Sequence, residues 1–156
     1  SEKKIIASIK DIYSMKKDKT FVMAGFSKYE NNFETYDAVQ ITIKKNDKDY
    51  IIHNVTGKNF SNYDKEIEAC YEHQDRVIKE LTPMFKNQEI HPVRIVKHWA
   101  DKSGRSTQRQ AAFIFKHSRD LVIIECYDWH KDMGYKSNFR IVLITKEFND
   151  WVGADN

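Results

Sequence analysis

The chain has 156 residues, 40 % of them hydrophobic and 13 % aromatic, with 26 Lys and Arg against 23 Asp and Glu for a net charge of +3. Such a length and apolar content suit one domain over residues 1–156 with a packed core, and they exclude a disordered chain. The small positive surplus excludes the strong footprint of a duplex-DNA binder, which calls for clustered charge and a pI above about 9.

Cys70 and Cys126 fall in different predicted elements, and neither belongs to a Cys-x-x-Cys pair. The expectation is two reduced, partly buried thiols in a cytoplasmic protein. No apolar run reaches the roughly 18 residues of a membrane helix. The first four residues, Ser-Glu-Lys-Lys, lead into an amphipathic pattern rather than a signal peptide. A membrane partner is therefore not expected.

Taken in order, residues 3–17 place Ile5, Ile6, Ile9, Ile12 and Tyr13 at helical spacing and predict an opening helix. Residues 20–26 read as a strand, and residues 27–35 as a polar break. Residues 37–44 and 49–55 alternate apolar and polar around a turn at 45–48, which predicts a β-hairpin closed by Thr56 and Gly57. A long helix over 63–85 follows, capped by Ser61 or Asn62. Its stripe is Ile67, Cys70, Tyr71, Val77, Ile78, Leu81 and Phe85, and Pro83 ends its regular bonding. Four strands then fold back and forth over 91–98, 109–116, 121–129 and 139–145, before a short helix over 146–152. The expected fold class is α+β: a mostly antiparallel sheet, made of a hairpin region and a four-stranded C-terminal meander, packed on an N-terminal and a long central helix. The front of this order resembles metal-dependent nucleases of the Asp…Glu-x-Lys type. The strand at 49–55 lacks their acidic-x-Lys pair, so the likeness carries no chemistry.

One residue in the meander is unexplained by its surroundings: Glu125, within Leu-Val-Ile-Ile-Glu-Cys-Tyr. If His117 pairs with Asp120 across a two-residue turn, Ala112 faces Glu125 and Gln110 faces Tyr127. Arg140 then lies near Tyr127 and diagonal to Glu125, while His98 lies beside Gln110 with Arg94 further along. One face carries Arg94, His98, Gln110, Glu125, Tyr127 and Arg140. The other carries Ile95, Trp99, Phe113, Phe115, Ile124, Cys126, Phe139, Ile141 and Leu143, the expected core face.

Two readings of Glu125 follow. In the first it makes a semi-buried ion pair with Arg140 or Arg94, because a bare buried carboxylate costs several kcal/mol. In the second the face is a site: Glu125 and His98 serve as general base and acid and Tyr127 orients the substrate. Arg94, Gln110 and Arg140, with Arg105 and Arg109 nearby, would hold phosphate through arginine forks. Phosphodiester or nucleotide hydrolysis fits that set better than acyl transfer, since no Ser or Cys nucleophile stands with a base. A third arrangement, Arg94, Arg109 and Arg140 with Tyr127 and Trp129, suits RNA or single-stranded DNA.

The six histidines lack metal-ligand spacing, and no Gly-rich phosphate loop precedes a helix, so neither a metal nor a cofactor is expected. Trp99, Trp129 and Trp151 stand at element ends, where large aromatics seal a core or anchor an interface. The expected function is a small non-enzymatic intracellular protein that binds a protein partner as an inhibitor or adaptor. Residues 29–36 and the basic loop at 102–109 would make the contact. The alternative is an enzyme or binder directed at nucleic acid or a nucleotide phosphate through the Glu125 face.

Overall fold

The computed structural model describes residues 20–61 and 63–154. The helix expected over 3–17 lies outside the described residues.

Seven strands form one antiparallel sheet: β1 (Phe21–Ser27), β2 (Ala38–Lys44), β3 (Ile52–Asn59), β4 (Glu89–Lys97), β5 (Thr107–Ile114), β6 (Leu121–Asp128) and β7 (Asn138–Ile144). Their spatial order is β1-β2-β3-β7-β6-β5-β4. The helices are α1 (Lys28–Asn31), α2 (Ile67–Leu81) and α3 (Lys146–Gly153). The expected α+β class with a mostly antiparallel sheet is therefore present. The hairpin region and the C-terminal meander are fused, because β3 pairs with β7 and seats Lys58 opposite Arg140.

Three boundaries differ from expectation for local reasons. Gly57 does not close the hairpin but continues β3, because the Tyr36 ring lies over it: a Cβ at Gly57 would sit 2.7 Å from that ring. The turn between β2 and β3 is correspondingly longer; Asn46 and Tyr50 adopt positive φ, and the Asp47 carboxylate accepts from Asp49 N and Ile51 N. Helix α2 starts at Ile67 rather than Tyr63, so Ser61 does not cap it, and Asn62 lies outside the described residues. Its regular bonding ends at Thr82, before Pro83, which has no N–H to offer.

One face of the sheet packs against α2. Tyr63, Cys70, Phe113, Val122, Ile124, Cys126 and Phe139 form the core there, with Phe85 stacked on Phe113 at 4.8 Å. Cys70 and Cys126 are joined in a disulfide with a Cα separation of 6.1 Å. This corrects the expectation of reduced thiols: the stripe of α2 and the apolar side of β6 bring the two side chains face to face. Gln74 lies in the same stripe and is fully buried. It donates to Arg109 O at 3.0 Å and Ile124 O at 2.7 Å and accepts from Arg109 Nη1 at 2.6 Å, so the helix is also tied to the sheet by a satisfied polar network. Because α2 lies over β6 and β7, Ile95 on the outer strand, Trp99 beyond its end and Leu143 past the helix stay exposed. They are not core residues as expected.

The opposite face is divided. At one end α3 covers it: Phe148 and Trp151 pack on Phe21, beside Ile144, Leu121 and Ile123. Toward the other end no apolar layer continues among the described residues, and the inward positions turn polar.

Candidate anion-binding face

The polar residues arise from strict alternation. On β6, Ile124 and Cys126 face α2, so Glu125 and Tyr127 face the other way. The β5–β6 connection has four residues rather than two, since Phe115 N donates to Asp120 O and Arg119 N to Phe115 O. The register is thus displaced by two from the expected one, and Gln110 rather than Ala112 stands opposite Glu125. An even displacement leaves each side chain on its own face, whereas a displacement of one would have inverted them. Arg140 stands directly opposite Glu125 on β7, not diagonal to it, and Arg94 rather than His98 pairs with Gln110.

Glu125 is 5 % exposed and forms the floor, while Gln108, Gln110, Tyr127, Arg140 and Lys58 surround it half-buried and Arg94 stands exposed at the rim. Among the described residues no ion pair links Glu125 to Arg140 or Arg94 within 4.0 Å, so the expected contact pair is not formed. The Arg140 guanidinium instead lies over the Tyr127 ring at 3.9 Å and donates from Nε to Asn138 Oδ1.

Burial pushes the Glu125 carboxyl above the usual range, only partly offset by Arg140, Gln108, Tyr127 and Lys58. Gln108 Nε2 lies 2.5 Å from Glu125 Oε2 and 2.9 Å from Gln110. Gln110 satisfies Arg94 only when its oxygen faces the guanidinium, accepting from Nε at 2.9 Å and Nη2 at 2.8 Å, with its nitrogen toward Gln108.

Lys58, on β3, has a pKa lowered to about 8, chiefly by burial and then by Arg140, with Glu125 acting against them. The Tyr127 hydroxyl is pushed up by burial and by Glu125. His98 sits at the end of the face, with Nδ1 accepting from Ala100 N at 3.2 Å and its ring 4.1 Å from Trp129 and 4.6 Å from Tyr127. Burial, and next Arg140, lower its pKa to about 4, so it is neutral at pH 7. Its Nε2 is buried without a hydrogen-bond partner, in a ring that packs among Trp99, Tyr127 and Trp129. That placement does not favour a proton shuttle with Glu125.

Of the expected site residues, the fold thus brings together Glu125, Tyr127, Arg94, Gln110 and Arg140, with His98 at the margin. Arg109 points to the opposite face, where it bonds Gln74 and reaches Asp75 Oδ1 at 2.8 Å. Arg105 is in the β4–β5 loop, paired with Asp132 at 2.8 Å. Two members escaped sequence reading. The sequence pattern puts Lys58 beyond the hairpin and Gln108 in a loop, yet both continue a period of two, in Asn54-Thr56-Lys58 and Gln108-Gln110-Ala112. Asn54 and Thr56 extend the polar band and, with Thr42, form a buried hydrogen-bonded group.

Among the described residues no three His, Cys, Asp or Glu side chains gather to hold a metal, and no helix is long and apolar enough to cross a membrane. No protein-family model matches the chain, and comparison with curated proteins and with solved structures gives no match.

Proposed function

We propose that the chain, acting as a single α+β domain, is a non-catalytic binding protein whose ligand is a phosphate-bearing anion held on the polar face around Glu125. One observation carries the reading: Lys58 and Arg140 act on a single carboxyl that burial pushes toward its neutral form, with Arg94 two strands further out on the same face beside Gln110. A row of three cations over a carboxyl disfavoured in its charged form suits a phosphate-bearing anion, and two of the cations offer planar forks.

Tripolyphosphate titrated by calorimetry at low salt tests this. Binding that weakens steeply with salt is expected. Glu125→Gln, which reproduces the protonated carboxyl's donor, keeps or tightens that affinity. It also keeps or raises the melting midpoint at pH 7. The sign follows from linkage: with the folded pKa raised, the stability from Glu125 is present at low pH and lost as pH rises through the folded value, and Gln removes that loss. Absence of tripolyphosphate binding, or a Gln variant that loses it while folded, sinks the proposal. A hydrolytic activity abolished in the Gln variant would favour the enzymatic reading instead.

A protein partner of inhibitor or adaptor type is a second reading. It is supported by the outer edge of β4, which pairs with no further strand among the described residues and where Ile90, Val93 and Ile95 are exposed. Capture of a protein by the immobilised chain, unchanged by nuclease, is its expected result; nuclease-sensitive capture would count against it. The cytoplasmic location expected from the sequence is weakened by the Cys70–Cys126 bond, which an oxidising compartment preserves. Protein quenched with an alkylating agent in its source and found with free thiols would restore it.

A further inference from the structure

Beside the cationic cluster, the same face ends in a group of aromatic rings that the phosphate reading does not use. From Arg140 the stack runs through Tyr127 to Trp129 at 5.7 Å and on to Tyr135 at 4.9 Å. A second branch runs from His98 to Trp99 at 5.8 Å with the rings 27° apart. The inner rings are fixed, while the outer two are open to solvent, Trp99 at 66 % and Tyr135 at 59 % exposure. Large exposed rings backed by buried ones are costly to leave in water and ready to stack on a flat partner.

The loops that carry these rings are cross-linked by hydrogen bonds. Asp101 accepts from Ser103 N and Oγ and from Ser106 N and Oγ, which holds its carboxyl far below the usual range. Ser106 Oγ in turn accepts from His130 N at 3.0 Å, and Arg105 bridges to Asp132, so the β4–β5 and β6–β7 loops are tied to one another. Their acids are consumed in this way. Lys97 at the end of β4, and Lys102, Lys131 and Lys136 on these loops, are exposed and form no ion pair among the described residues.

We propose that Trp99 and Tyr135 are base-stacking platforms and that the ligand of this face is a single-stranded nucleic acid, its phosphates on Arg140, Arg94 and the loop lysines. The inference rests on the phosphate reading and adds the base to it. Stacking on an open ring tolerates any base, and paired bases hide their faces, which selects a single strand over a duplex. Two separate platforms and four unpaired lysines exceed what one mononucleotide occupies.

The full chain is titrated with a short oligothymidylate, the matching duplex, thymidine monophosphate and tripolyphosphate at one low salt concentration, following tryptophan fluorescence. Oligothymidylate is expected to bind most tightly and quench the signal. Trp99→Ala and Tyr135→Ala each weaken it about tenfold or more and leave tripolyphosphate affinity unchanged; both side chains are exposed, so folding is preserved. Oligothymidylate affinity untouched by both substitutions overturns the platforms while the phosphate reading stands. Mononucleotide or duplex binding as tight as the single strand overturns the choice of ligand. If tripolyphosphate also fails to bind, the reading beneath falls as well.

Discussion

Replacing both Cys70 and Cys126 by Ala is expected to lower the unfolding free energy by about 4 kcal/mol and the melting midpoint by roughly 10 °C. The two residues are 56 apart in sequence, so the bond removes much chain entropy from the unfolded state. Both side chains are completely buried between α2 and β6, and Ala leaves unfilled space there as a smaller second cost. Total stability for such a domain is about 5–15 kcal/mol, so the loss is a large share of it. Urea unfolding of the parent and the double variant under non-reducing conditions measures the difference. A shift below about 1 kcal/mol would mean that the thiols are not joined in the folded protein.

Arg140→Ala is expected to weaken tripolyphosphate binding about a hundredfold, because a half-buried guanidinium leaving a phosphate contact forfeits its charge and its fork together. Arg140→Lys keeps the charge and loses the fork, and should fall between. The pH profile is more diagnostic. Parent affinity should decline as pH rises through about 8, where Lys58 gives up its proton. Arg140 is the second cause of that lowered value after burial, so its removal moves the decline to higher pH. The ligand-free protein shows the reverse trend. Because the folded pKa of Lys58 lies below the ordinary 10.5, the folded state loses that proton first, and stability grows between about 8 and 10.5. Calorimetric titrations across that range decide the matter; an unchanged profile in the alanine variant would remove Lys58 and Arg140 from one site.

How much of this was legible beforehand depends on the range of the interaction. The strands and α2 follow from periodicity, which side-chain burial dictates locally, and the sides of β6 followed from alternation alone. Register was harder. The β5–β6 turn depends on Arg119 adopting a positive φ, which no composition signal announces in an arginine, and only the even displacement kept the polar side intact. Lys58 was hidden because Gly57 reads as a turn until the Tyr36 ring is known to lie above it. Gln74 occupies a stripe position that looks like a flaw, since its acceptors come from β5 and β6, far along the chain. The disulfide was obscured for the same reason: Cys70 and Cys126 share nothing in sequence but become neighbours once α2 crosses β6.

Cys126 stands between Glu125 and Tyr127 on one strand, with its sulfur turned to the helix and its neighbours turned to the polar face. The covalent anchor and the proposed ligand therefore pull on the same short piece of backbone from opposite sides. A bond with no exposed surface is reached by a reductant only when that strand opens. Any ligand that favours the closed strand reduces the open population by the factor one plus its concentration over Kd. Resistance to reductant thereby becomes a gauge of occupancy across the thickness of the sheet, sensitive to a bound ligand that never touches sulfur.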